Sequence, residues 1–136
     1  MKLSSAGIII LFFLISFGGC AGSNCQTDLI GVWGGDHIGM VISDSSATID
    51  YDCAHGTIDE AIIIDENGEF EVVGVHVFEH GGPIRIDETP DEHPALYQGS
   101  IEGEVMTLKV TITDTDQEFG TFTLNLGANP NVYKCL

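Results

Sequence analysis

The sequence predicts an all-β protein, a small antiparallel up-and-down barrel of about eight strands, with a two-sheet sandwich as the alternative. Three observations predict this class. Apolar and polar residues alternate with a period of two, turn residues separate the alternating runs, and no segment has the apolar spacing of an amphipathic helix. Short turns between consecutive strands favour a meander, and a meander of this size removes its exposed edges by closing into a barrel.

The alternation is clearest in Met106–Ile112, where every second residue is apolar. The runs 121–126 and 48–53 follow the same pattern, which is typical of strands with one buried face. We therefore expect an inward set and an outward set of side chains. The inward set is Trp33, Ile49, Tyr51, Met106, Leu108, Val110, Phe122 and Leu124, and the outward set is Thr107, Lys109, Thr111, Thr121 and Thr123.

Strand boundaries follow from the turn residues between the runs. Asn67-Gly68 is the strongest hairpin signal, with Ile62–Ile64 before it and Phe70–Val73 after it. Strands are expected near residues 37–43, 47–53, 57–64, 69–79, 95–102, 104–113, 118–126 and 131–135.

In the run 69–79, the apolar residues change from even-numbered to odd-numbered positions. Phe70 and Val72 define one apolar face, whereas Val73, Val75 and Val77 define the other. A bulge near Gly74 would reconcile them and turn His76 and His80 outward. Without the bulge, both histidines enter the barrel together with Phe78.

The amino-acid composition limits which molecules the protein can bind. The chain has 136 residues, enough for one domain with a core, and 21 acidic against 4 basic residues give it a formal net charge of −17. Such a charge excludes a role based on a basic surface, so neither nucleic acid nor an anionic membrane surface is an expected partner.

The N-terminal residues predict export. Lys2 precedes the apolar run Gly7–Phe17, which has the length of a secretory signal and is too short to span a bilayer. Phe17-Gly18-Gly19-Cys20 resembles the lipobox of bacterial lipoproteins, which implies that Cys20 is acylated and becomes the N-terminus. An ordinary secreted protein cut near Ala21 is the alternative.

The lipobox resemblance divides the chain into a signal peptide (1–19), a lipidated N-terminus with a short tether (20–28) and a barrel domain (29–136). The protein is then expected in the cell envelope, anchored to a membrane through its lipid. Ala21 lacks the acidic character that retains some lipoproteins in the inner membrane, so we expect the outer membrane.

The chain has four cysteines, Cys20, Cys25, Cys53 and Cys135, and lipidation of Cys20 leaves three in an oxidising compartment. We expect a disulfide between Cys53, at the end of a strand, and Cys135, next to the C-terminus. A Cys25–Cys135 bridge is the alternative.

Gly31-Val32-Trp33 resembles the first strand of lipocalin-like and avidin-like barrels, in which a Gly-x-Trp opens the barrel and the indole closes one end. The longer pattern Gly31-x-Trp33-Gly34-Gly35, Tyr51-Asp52-Cys53-Ala54-His55-Gly56, Tyr97-x-Gly99 and Met106-Thr107-Leu108 resembles an uncharacterised group of small bacterial secreted proteins and lipoproteins. The resemblance implies a barrel fold and an envelope location, and no activity.

Two classes of function remain open. The favoured one is a barrel that binds a small apolar ligand or an envelope protein, with Trp33, Tyr51 and Tyr97 as candidate ligand-binding residues. Binding is favoured over catalysis, no catalytic residue is assigned and no cofactor is expected.

The alternative function is a metal-binding or hydrolytic envelope enzyme that uses histidines. Its candidate metal ligands are His37, His55, His76 and His80. His76-Val77-Phe78-Glu79-His80 matches the inverted zinc-protease motif, but that motif requires a helix and these residues are predicted to form a strand. Cys53-Ala54-His55 could supply two ligands only if Cys53 were reduced.

Overall fold

The computed structural model describes residues 29–136, which form a closed, eight-stranded antiparallel barrel. The predicted signal peptide, Cys20, Cys25 and the tether lie outside the described residues. The strands are β1 (Gly31–Gly35), β2 (Ile38–Ile42), β3 (Ala47–Tyr51), β4 (Ala54–Ile58), β5 (Glu69–Phe78), β6 (Asp91–Glu102), β7 (Val105–Ile112) and β8 (Gln117–Leu126).

Each strand pairs with the next along the chain, and β1 closes the barrel against β8. The all-β class and the up-and-down barrel are therefore confirmed. The β1–β2 and β3–β4 connections share one end of the barrel with the β5–β6 and β7–β8 connections, because strand direction alternates around a meander. We call this the β3–β4 end. The start of β1 lies at the opposite end.

The barrel interior is built from one parity of every strand, as the alternation predicts. Met106, Leu108 and Leu124 are completely buried, whereas Thr107 and Thr123 between them are exposed. Phe122 is only partly buried but packs against the core. The predicted inward and outward sets are confirmed, because alternate residues of a strand point to opposite faces of the sheet.

Four predicted strand boundaries are wrong. The strand predicted at 95–102 begins earlier, at Asp91 of β6. The first strand is Gly31–Gly35, which precedes the predicted first strand. The segment 57–64 is not one strand, since β4 ends at Ile58. Residues 131–135 do not form a strand and make one isolated bridge, between Asn131 and Asp36. The barrel still has eight strands because the gain at β1 compensates for the loss at the C-terminus.

Strand β5 has no bulge at Gly74. It pairs with β6 in an unbroken register from Glu69 to Phe78, so its inward residues keep one parity along the whole strand. His76 consequently faces inward, while Val73 is exposed. The irregularity lies elsewhere, in the β7–β8 pair, where the register shifts between Val110 and Thr111.

The loop before β5 contains the predicted tight turn. Asp65 Oδ1 accepts hydrogen bonds from the backbone N–H groups of Asn67 and Glu69, both at 2.9 Å, and Gly68 adopts a φ of 75°. A left-handed φ of this kind favours glycine. The turn at Asn67-Gly68 is confirmed, although the residues before it are loop and not strand.

The C-terminal segment 127–136, which we call the C-terminal strap, folds back over the outside of β1 and β2. Gly127, with a φ of 77°, reverses the chain after β8, and Asn131 then exchanges backbone hydrogen bonds with Gly35 and His37. Pro130 packs against Gly39, where a Cβ atom would meet its ring at 2.7 Å. The strap thus reaches the β3–β4 end.

The Cys53–Cys135 disulfide joins the C-terminal strap to the β3–β4 connection, with the Cα atoms 4.9 Å apart. This pairing agrees with the prediction. The backbone N–H of Tyr133 also donates to Asp52 Oδ1 at 2.7 Å, and Lys134 pairs with Glu79 at 2.9 Å. A disulfide, a hydrogen bond and an ion pair therefore hold the end of the strap against the β3–β4 end of the barrel.

Reduction of the disulfide should lower the free energy of unfolding by roughly 2–4 kcal/mol, because the bridge limits the freedom of the unfolded chain over a long loop. Urea unfolding with and without reductant measures the change. A Cys53→Ser/Cys135→Ser variant is the control and should not respond to reductant. Non-reducing peptide mapping that found Cys25 joined to Cys135 would contradict the assignment.

Within residues 29–136, no helix is long and apolar enough to cross a membrane.

Candidate functional site

Aromatic side chains gather inside the barrel at the β3–β4 end. We call Tyr51, His76, Phe78, Phe119 and Phe122 the aromatic cluster. The His76 ring lies 4.3 Å from Phe119, 4.6 Å from Phe78 and 5.3 Å from Tyr51, measured between centroids. Tyr51 lies 5.0 Å from Phe119 and 5.4 Å from Phe122. These separations fall within the range in which aromatic rings attract one another.

The strands bring these rings together from distant parts of the sequence. Tyr51 is the last residue of β3, and Phe78 is the last residue of β5. His76 lies one inward position before Phe78. Phe119 and Phe122 come from β8, near the register shift. Because β3, β5 and β8 are not neighbours in the sheet, their side chains meet across the barrel interior.

His76 is completely buried, and neither of its ring nitrogens has a hydrogen-bond partner within the described chain. Burial lowers the pKa of His76 to about 4, with the nearby His93 and His55 adding to the effect. The ring is therefore neutral at physiological pH and offers one N–H donor and one bare nitrogen acceptor. An unpaired buried polar atom costs about 1–3 kcal/mol, so the unpaired His76 nitrogens lower the stability of the folded chain.

Two tyrosines of the candidate ligand-binding set lie in the same region. Tyr97 is completely buried and its hydroxyl donates to the Val75 carbonyl at 2.8 Å. Burial raises the pKa of Tyr97 to about 12. Burial also raises the pKa of Tyr51, and the nearby Tyr97 adds to this effect. The Tyr51 hydroxyl has no hydrogen-bond partner within residues 29–136.

Glycines on the neighbouring strands make room for Tyr97. A Cβ atom at Gly56 would overlap the Tyr97 hydroxyl, and one at Gly74 would lie 2.9 Å from its ring. The absence of side chains at these inward positions lets the Tyr97 ring approach β4 and β5 closely.

Trp33, the third candidate, lies toward the opposite end. It is completely buried, and its Nε1–H donates to the carbonyl of Leu29 at 2.9 Å. Leu29 precedes β1, so the indole packs where the barrel begins. Trp33 therefore does not share a site with Tyr51, and its buried position and satisfied N–H suit a structural role.

The rim of the β3–β4 end carries a second histidine with two acidic partners. His93 Nδ1 lies 2.7 Å from Asp114 and Nε2 lies 2.8 Å from Asp91. These two hydrogen bonds, first that of Asp114 and then that of Asp91, raise the pKa of His93. His93 pairs with His76 across β5 and β6, and its ring meets that of Phe78 at 5.5 Å. No motif in the sequence marks His93 as a site residue.

The four candidate metal ligands do not converge. His37 bonds to Asp52 at 2.5 Å, and His55 lies 3.6 Å from Glu79. His80 does not enter the barrel, contrary to the expectation for an unbulged strand, because β5 ends at Phe78; it lies outside and pairs with Glu88. Within residues 29–136, no group of three or more histidine, cysteine or acidic side chains is placed to hold a metal ion. His76 and Glu79 are not on a helix, as the zinc-protease motif would need.

The pH dependence of stability should contain a contribution from His76. Its folded pKa of about 4 lies below the unfolded value of about 6.5, so the unfolded chain binds a proton first as the pH falls. Stability is therefore lost between pH 6.5 and pH 4. Urea unfolding at pH 7 and pH 5 should show a smaller loss for His76→Leu than for the wild type.

The matched control for the pH experiment is Thr57→Leu, on the outer face of β4, which removes no titratable group. It should lose as much stability as the wild type between the two pH values. NMR titration supplies the direct test, since the His76 ring should hold its neutral chemical shift down to about pH 4. A His76 titration near pH 6.5 would mean that the ring is exposed to water.

Grooves on the described surface lie outside the barrel. One of about 600 Å³ runs along the outer faces of β5 to β8, between Glu69, Gln98 and Lys109. Another, of about 260 Å³, lies between Val41 and Val132, where the C-terminal strap crosses β2. The polar atoms that lack partners are in neither groove, because they belong to Tyr51 and His76 inside the barrel.

Comparisons with known proteins give no match: no family model matches the chain, and neither a curated protein nor a solved structure does. The resemblance to lipocalin-like barrels and to bacterial lipoproteins thus stays a prediction from the sequence.

Proposed function

We propose that the protein is a lipid-anchored binding protein of the bacterial cell envelope, attached to the outer membrane through Cys20. Its ligand is a small, uncharged, largely apolar molecule held at the β3–β4 end of the barrel. The alternative enzyme, with His37, His55, His76 and His80 as metal ligands, finds no support in their separate positions.

The observation that carries this proposal is the set of unpartnered polar atoms inside the aromatic cluster. Tyr51 Oη, His76 Nδ1 and His76 Nε2 are buried without hydrogen bonds in the described chain. Most buried polar groups in proteins are paired, so a completely buried imidazole with neither nitrogen hydrogen-bonded favours a ligand as the partner. A ligand that supplies a hydrogen bond there recovers part of the desolvation cost.

The surroundings restrict the chemistry of the ligand. The side chains around the His76 ring are aromatic, which suits an apolar ligand, and a neutral imidazole has no positive charge to attract an acid. Asp91 and Asp114 lie at the rim and the chain has a net charge of −17, so anionic molecules are repelled. An uncharged molecule with one polar group fits best.

Native mass spectrometry tests the binding proposal on protein purified in mild detergent from the cells that make it. The wild type should carry the additional mass of a small organic molecule, and a His76→Leu/Tyr51→Phe variant should lose it. His55→Leu, changed on the outer face of β4, should retain it. A wild type without bound molecule, a mass retained by the double variant, or a bound protein in its place would contradict the proposal.

Membrane attachment is tested separately. Cys20→Ser should move the protein from the membrane fraction to the soluble envelope fraction, because the variant cannot be acylated. Cys25→Ser is the matched control, only five residues away, and should remain with the membranes. If Cys20→Ser fractionates like the wild type, lipid anchoring at Cys20 is wrong.

A further inference from the structure

Phe119 occupies an unusual place in the aromatic cluster. Val110 pairs with Gly120 and Thr111 pairs with Glu118, so Phe119 is the extra residue of β8 at the register shift and has no partner on β7. Its ring nevertheless lies 4.3 Å from His76 and 5.0 Å from Tyr51, measured between centroids. Phe119 is only partly buried, so one side of it meets solvent. It is therefore a partly exposed ring packed against both residues that carry the unpartnered polar atoms.

The part of β8 that carries Phe119 has a single neighbouring strand. The β1–β8 closure consists of two residue pairs, Trp33 with Leu126 and Gly34 with Asn125. Residues 117–123 of β8 are therefore paired only with β7. A bulged segment paired on one side can shift outward with fewer lost hydrogen bonds than an inner strand can.

We propose that Phe119 is a displaceable plug and that the ligand is a small neutral aromatic molecule with one O–H or N–H donor, which replaces the Phe119 ring and donates to His76. This inference rests on the proposed function and specifies its ligand class and its entry route. The structure then represents the closed barrel, with Phe119 in the ligand's place.

The aromatic character proposed for the ligand follows from the rings that Phe119 contacts. Its ring meets those of Tyr51, His76, Phe78 and Phe122 at centroid separations from 4.3 to 6.1 Å. Aromatic pairs at such separations gain about 0.5–1.5 kcal/mol each beyond the burial of area. A ligand ring recovers these interactions when Phe119 leaves, whereas an aliphatic chain recovers only the buried area.

The hydrogen-bond donor proposed for the ligand follows from the protonation state of His76. A neutral imidazole keeps one nitrogen bare, and that nitrogen has no donor within the described residues. The Phe119 ring supplies only carbon atoms to it. A phenol-like O–H or indole-like N–H supplies the missing hydrogen bond without bringing a charge into the interior.

A variant that removes the plug tests the inference with two probes of nearly equal shape, phenol and toluene. An apolar cavity prefers toluene, because phenol must give up its hydrogen bonds to water. Phe119→Ala should reverse this order and bind phenol more tightly than toluene by up to about tenfold, because one recovered hydrogen bond is worth at most about 1.4 kcal/mol. Calorimetry or ligand-observed NMR gives both dissociation constants.

Two controls isolate His76. Phe70→Ala opens a cavity of the same size at the opposite end of β5, away from the unpartnered atoms, and should prefer toluene. Phe119→Ala/His76→Leu should lose the preference for phenol. If Phe119→Ala prefers toluene as Phe70→Ala does, the inference is wrong.

The wild type supplies a measurement that does not depend on the folding of a variant. Saturating phenol should shift the NMR signals of both His76 and the Phe119 ring. Shifts at His76 with an unchanged Phe119 would overturn the plug while leaving the proposed function standing. An unperturbed His76 in the wild type, together with no bound molecule in native mass spectrometry, would overturn both.

Discussion

Trp33→Ala should lower the free energy of unfolding by about 3–5 kcal/mol, the range typical of a buried tryptophan cut to alanine. The Trp33 side chain is completely buried, and its loss would also leave the Leu29 carbonyl without its 2.9 Å donor. Urea unfolding monitored by circular dichroism measures the change, since Trp33 is the only tryptophan and its fluorescence is lost.

The control for Trp33 is its neighbour Val32, which is 45% exposed on the outer face of β1. Val32→Ala should change stability by no more than about 0.5 kcal/mol. Comparable losses at the two positions would mean that the indole does not pack inside the barrel.

Leu124→Ala should lower the free energy of unfolding by about 2–5 kcal/mol, because it leaves a cavity in a core that already fills the barrel. Leu124 is completely buried and pairs with Met106, which is also completely buried. Thr123→Ala, one residue earlier on the outer face, should stay within about 0.5 kcal/mol. Chemical denaturation of the two variants under the same conditions measures the difference.

The Leu124 comparison also tests the closure of the barrel. Leu124 lies on β8 just before the two residue pairs that join it to β1. If Leu124→Ala and Thr123→Ala had equal effects, β8 would not have one face inside a closed barrel, and the assignment of inward residues would be wrong.

The barrel fold could be predicted because alternation is a property of neighbouring residues. In β7, Leu108 and Lys109 differ enough in polarity for the chain alone to indicate which side chain is buried. The Cys53–Cys135 pairing was favoured over Cys25–Cys135, because Cys53 ends an alternating run and Cys135 lies next to the C-terminus. The strand 131–135 was wrong because an extended strap that pairs through one bridge resembles a strand in sequence.

The candidate site could be predicted only in part. Tyr51, Tyr97 and His76 were all singled out from the sequence, but the orientation of His76 depended on whether a bulge occurred near Gly74. The register of β5 against β6 decides that question, and it excludes the bulge. Phe119 and His93 were missed, because nothing near them in the chain marks their contacts with His76 and Phe78.

The sequence by itself determined the strand class, the inward parity of most strands and the acidic surface, and it favoured Cys53–Cys135 over Cys25–Cys135. These properties depend on local polarity and on composition, which the chain carries wherever it folds. The tertiary structure decided which side chains meet inside the barrel. Register, closure and the β8 bulge place His76, Tyr51 and Phe119 together, because contacts between strands depend on pairings that no single segment encodes.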